Sequence, residues 1–153
     1  IQGAQKQGRI WDIVYLDAFN SFSIPYHLTT REFTSTAAAL VAENGMLLAN
    51  AIDIPKYGGF LGAYYKTLAS VFPCVTVYGS PEVSRDRRST FVLAASRSPL
   101  PYKELFAPDG TVARQMDPAL LEEILARNKS KPLTDDYTPV ENLMIPVFLD
   151  MVR

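Results

Sequence analysis

An apolar run closed by a carboxylate, then a loop, then a capped helix restricts this chain more than any other feature. Ile10, Trp11, Ile13, Val14, Tyr15 and Leu16 lead into Asp17. A short stretch rich in β-branched and aromatic residues reads as a buried strand over residues 10–17. Thr29, with Glu32 three residues on, forms a capping-box pattern that satisfies free N–H groups at a helix start. Phe33, Ala37, Leu40 and Val41 then recur at helical spacing. Asn44-Gly45 supplies the stop, since glycine takes the left-handed conformation past a helix end. In α/β folds ligands meet the protein at such junctions, at the carboxyl ends of parallel strands.

The alternation continues. A near-continuous apolar run over 46–52 suits a strand covered on both faces. Gly58-Gly59 precedes a second helix carrying Leu61, Tyr65, Leu68, Ala69 and Phe72, and Pro73 stops it. Residues 74–78 and 90–96 read as two more strands, able to pair as an antiparallel hairpin. Strand, helix, strand, helix, strand, strand predicts a mostly parallel α/β sheet with an antiparallel C-terminal hairpin and helices on both faces. Residues 1–97 form the expected core and 98–153 a helical extension. In that extension Asp117-Pro118 marks one helix start. Thr138 with Glu141 marks another, running to about residue 152, which Pro146 should bend or shorten.

Bulk chemistry excludes several functions. Fifteen Lys and Arg against sixteen Asp and Glu give a net charge of -1, unlike a nucleic-acid binder with clustered cations. The run Arg85-Asp86-Arg87-Arg88 is broken by an acid and reads as a solvated turn. One Cys and one His leave no structural zinc set, so no metal is expected. Cys74, inside an apolar run, reads as a buried thiol. No stretch approaches the ~20 apolar residues of a membrane span, and the start lacks the apolar core of a signal peptide. The sequence predicts a cytoplasmic location. A start without Met predicts a trimmed or partial chain.

The patterns DIVYLDAF, residues 12–19, and IPYHLTTREF, residues 24–33, resemble the spermidine synthase-like proteins. LTDDYTPVENL, residues 133–143, resembles the closing motif of the same group. The resemblance covers most of the chain. It implies the second half of a class I methyltransferase-type Rossmann-like domain, and aminopropyl transfer from decarboxylated S-adenosylmethionine to a diamine. That donor is a co-substrate, so no tightly bound cofactor is implied. Catalysis there needs a carboxylate that holds the amine and takes its proton, with proximity to the sulfonium supplying much of the rate.

The resemblance places Asp17 at the first acidic position of the strand-end loop. Asn20 stands at the second, where it accepts hydrogen bonds but cannot act as a base. Ala18, Pro25, Tyr26 and Leu28 match the stretch bordering the donor's adenine, and Tyr78 matches a substrate-side tyrosine. Asp135 and Asp136 are two carboxylates in one turn, suited chemically to a polyamine. No glycine-rich GxGxxG loop occurs: Gly58, Gly59 and Gly62 lack that spacing. Two rival readings stand beside the transferase: a non-catalytic scaffold for assembly or ligand sensing, and a methyltransferase, since one fold hosts many reactions. In the complete fold the 10–17 strand pairs on both sides. A bare apolar edge invites pairing, so a homo-oligomer is expected.

Overall fold

A computed structural model of the chain describes residues 3, 8–17, 25–127 and 131–151. Their strands are β1 (Trp11–Leu16), β2 (Val41–Asp53), β3 (Cys74–Gly79), β4 (Ser89–Ser96), β5 (Glu104–Phe106) and β6 (Val112–Gln115). The helices are α1 (Arg31–Ala38), α2 (Gly59–Ala69), α3 (Pro118–Arg127) and α4 (Val140–Met151), with a 3-10 turn at Tyr26–Leu28. One sheet holds the strands in the order β1-β2-β4-β3-β6-β5. β1 and β2 pair in parallel, while β4 runs antiparallel to both β2 and β3. Thus β1, β2 and β3 point the same way, and β4 returns between the last two as half of the expected hairpin.

The core lies between this sheet and α2. Leu47, Ala49 and Ala51 of β2 and Phe91, Leu93 and Ala95 of β4 are fully buried on one face. Phe60 and Tyr64 of α2 stack at 5.4 Å against it. α1, α3 and α4 all contact α2, so the four described helices share one side. Two crossovers that advance across a sheet in one direction with one hand deliver their helices to one side. On the other side Ile13 and Tyr15 are exposed and Met46 and Leu48 half-buried.

Several local expectations shift. The cap of α1 is Thr30, whose Oγ1 accepts from the Phe33 N–H at 3.2 Å, while Thr29 Oγ1 donates to the Tyr26 carbonyl at 2.7 Å. The helix stops at Ala38, and Val41, Asn44 and Gly45 belong to β2. Arg97 donates to the carbonyls of Ala38, Val41 and Ala42 and so closes that end. Register against β1 slips between Trp11 and Ile13, a bulge that absorbs residues of β2. A Cβ on Gly45 would lie 2.7 Å from the Asp12 carbonyl oxygen. Gly45→Ala therefore should cost about 1–3 kcal/mol by overpacking, read as a lower urea midpoint with unchanged slope. An unchanged midpoint would mean that the strands separate freely there.

Two helix starts follow the sequence. Gly58 caps α2 with φ of 55°, a left-handed conformation glycine adopts without strain. Asp117 Oδ1 accepts from the Ala119 N–H at 2.8 Å, as its position before Pro118 predicts. α4 runs through Pro146 without being shortened there. Cys74 is half-buried rather than buried. Residues 98–115 contribute the β5–β6 hairpin, joined to β3. No described helix is long and apolar enough to cross a membrane.

Candidate functional site

Asp17 follows the last residue of β1 and is exposed. Leu16 pairs with Ala49, so the next residues along, Asp17 and Asn50, lie side by side at the carboxyl ends of two parallel strands. The Asn50 Nδ2 donates to Asp17 Oδ1 at 3.3 Å. Fixing one carboxylate oxygen leaves the other for a cation. The Asn50 Oδ1 is buried and accepts no hydrogen bond in the structure. Among the described residues it is an acceptor without a donor, set beside the Asp17 carboxylate. Ala18 and Asn20 lie outside the described residues.

A second group gathers around the 3-10 turn. Pro25 accepts from the Leu28 N–H at 2.8 Å, which folds Tyr26, His27 and Leu28 over the start of α1. Tyr26, His27, Leu28, Glu32, Phe33 and Asp135 line an open groove of about 960 Å³. The Asp135 N–H donates to Glu32 Oε2 at 3.1 Å, tying the 133–143 motif to α1. Backbone N–H groups, its own first, together with Arg31 hold the Glu32 carboxyl below its usual range, against desolvation, which raises it. The groove thus combines aromatic walls with two carboxylates. Asp17 is not among its lining residues, and neither is Asp136, which is exposed.

Tyr78 stands apart. Its register partner Val92 pairs in turn with Asn50, so three strand spacings, about 14 Å, separate it from Asp17. Its hydroxyl donates to the Tyr102 carbonyl at 2.7 Å, and the ring is fully buried. Burial raises its pKa.

Two polar residues escaped the sequence reading. Asn50 interrupts the apolar run 46–52, and that interruption was the available signal. Asp53 ends the same run as Asp17 ends the first, but it is fully buried. Its Oδ1 accepts from the Ile54 N–H at 2.7 Å and its Oδ2 from the Leu61 N–H at 2.8 Å. It therefore anchors the start of α2. Burial pushes its pKa up to about 6, against the opposing bonds from Leu61, Ile54 and Phe60.

No family model matches the chain. A polyamine aminopropyltransferase of Vibrio vulnificus is 36% identical over 72 residues, which are 47% of this chain and 24% of that protein. The probable spermidine synthase of Corynebacterium glutamicum shares the fold with a TM-score of 0.61 at 20% identity. That superposition covers 81% of this chain and 47% of the solved one. The chain thus spans about a quarter of the curated relative it matches and about half of the solved one.

Proposed function

We propose that this spermidine synthase-like chain provides the amine-binding side of an aminopropyltransferase site, with Asp17 as the carboxylate that holds and deprotonates the acceptor. The proposal carries over to this chain the activity named for the relative of Vibrio vulnificus. A diamine presents one ammonium to Asp17 and the Asn50 carbonyl oxygen. Asp17 takes the proton, and the freed lone pair attacks the methylene carbon bound to the donor's sulfonium. A C–N bond forms, the C–S bond breaks, and sulfur leaves as a neutral thioether with the bonding pair. Asn50 keeps Asp17 oriented throughout.

In this reading Pro25, Tyr26 and Leu28 border the donor's adenine, and Ala18 completes that contact. Asp135 and Asp136 attract the polyamine. The matched stretches leave much of each relative uncovered. This reading places the reaction in the cytoplasm. What carries the reading is the Asp17–Asn50 pair at the ends of two parallel strands.

A second reading, a ligand-sensing or assembly scaffold without catalysis, is favoured by Asn20 at the second acidic position and by the absence of GxGxxG spacing. Calorimetric titration with decarboxylated S-adenosylmethionine, S-adenosylmethionine and methylthioadenosine, each with putrescine present, separates the readings. Saturable heat with the decarboxylated donor or methylthioadenosine is expected, and spermidine formed in the same cell distinguishes catalysis from ligand sensing. Heat with S-adenosylmethionine alone would point to methyl transfer, and none with any of the three to a scaffold.

A further inference from the structure

We propose that Thr67, on α2, is a positioning residue for Asp135, holding the turn that carries this carboxylate over the groove. The inference rests on the amine-binding role proposed for Asp135. A hydroxyl has one hydrogen to donate and lone pairs to accept with. Thr67 uses both: its Oγ1 donates to the Ala63 carbonyl at 2.8 Å and accepts from the Leu133 N–H at 2.8 Å. The first bond lies within the helix and is an ordinary one for threonine. The second spans 66 residues and joins α2 to the 133–143 motif. Thr67 and Leu133 are both fully buried, so water does not stand in for either partner.

Leu133 is held from its other side as well. Its carbonyl accepts from the N–H of Arg31, the first residue of α1, at 2.8 Å. Both backbone groups of one residue are thus tied to two different helices. The turn begins at the next residue. Thr134 and Tyr137 exchange both of their backbone hydrogen bonds at 3.0 Å, which leaves Asp135 and Asp136 at the tip. The Asp135 N–H then meets Glu32 Oε2 in the first turn of α1. Glu32 and Phe33 of α1 line the groove with Asp135, so the clamp sets this carboxylate against the wall it faces. Valine has the shape of threonine without the hydroxyl, so packing alone does not call for threonine at 67. A turn released from α2 spreads its carboxylate over many positions, and ordering it on binding lowers affinity.

Calorimetric titration with putrescine tests the assignment. Asp135→Asn should weaken binding about tenfold, as loss of one charge-assisted contact does. Thr67→Val should weaken it by a similar factor, and Thr67→Ser, which keeps the hydroxyl, should match the parent chain. In an Asp135→Asn background Thr67→Val should add nothing, since the group it positions is gone. A merely structural threonine would weaken binding equally in both backgrounds. That result, parent-like binding by Thr67→Val, or a Thr67→Ser chain that behaves as Thr67→Val does, overturns this proposal alone. Parent-like binding by Asp135→Asn overturns the amine role of Asp135 and the proposal with it. Amide exchange in the unmodified chain needs no variant. The Leu133 N–H should exchange as slowly as the core amides of β2, and exchange at the rate of an open loop would overturn the clamp.

Discussion

Asp17→Asn lowers aminopropyl transfer to putrescine by about 10²–10⁴-fold, the range for loss of a general base. Asn20 cannot take a proton, so under the proposed function base catalysis would fall on Asp17. Asparagine keeps the shape of the side chain and still accepts from the Asn50 Nδ2, so the geometry survives while the proton acceptor is lost. Asp17 is exposed, and its replacement should leave stability within about 0.5 kcal/mol. The checks are steady-state kinetics with decarboxylated S-adenosylmethionine and a thermal melt of the same sample. Activity within threefold of the parent would remove Asp17 from the chemistry, whereas a lower melting temperature would mark it as structural.

Asp53→Ala produces the largest expected loss of stability, about 3–5 kcal/mol. Two buried donors, the N–H groups of Ile54 and Leu61, lose their acceptor, and each costs about 1–3 kcal/mol when left bare. Chemical denaturation measures the loss, and a change under 1 kcal/mol would mean that water replaces the carboxylate. The pH dependence has a definite sign. The folded pKa, about 6, lies above the usual 3.8, so the folded state binds the proton more tightly than the unfolded one. The contribution is fully present below pH 3.8 and is lost as pH rises through 6. The stability advantage over Asp53→Asn should therefore shrink between pH 4 and pH 7, by up to about 3 kcal/mol. An advantage that grows over that range would show that the α2 N–H groups outweigh burial.

Asp17 and Asp53 show how far a sequence of this kind can be read. Each ends an apolar run, and nothing local distinguishes them. Their fates differ because β1 lies at the edge of the described sheet, while β2 is interior and feeds directly under α2. The order of strands makes that difference, and periodicity does not encode order. For the same reason the strands 74–78 and 90–96 were legible as a hairpin, but not the insertion of β4 between β2 and β3. β5 and β6 are only three and four residues long and are mostly exposed, so they present no alternating pattern. The helix starts at Pro118 and Gly59 were legible because caps are local chemistry. The end of α1 was not. Gly45 suits a helix stop in isolation, and only the Asp12 carbonyl from another strand shows why glycine stands there.

The groove divides along the same line. Tyr26 and Leu28 neighbour each other in sequence, so their shared wall was legible. Asp135 reaches it across more than a hundred residues through Glu32, which sequence alone presents as part of a helix cap.

The side-chain amide of Asn50 touches the proposed amine site directly and has its own resonances in a nitrogen-labelled chain. Titration with putrescine should shift those resonances saturably, and the shift should vanish in Asp17→Asn. Resonances that stay fixed at saturating diamine, or that move equally in the variant, would contradict the assignment of Asp17 and Asn50 as the place where the amine binds.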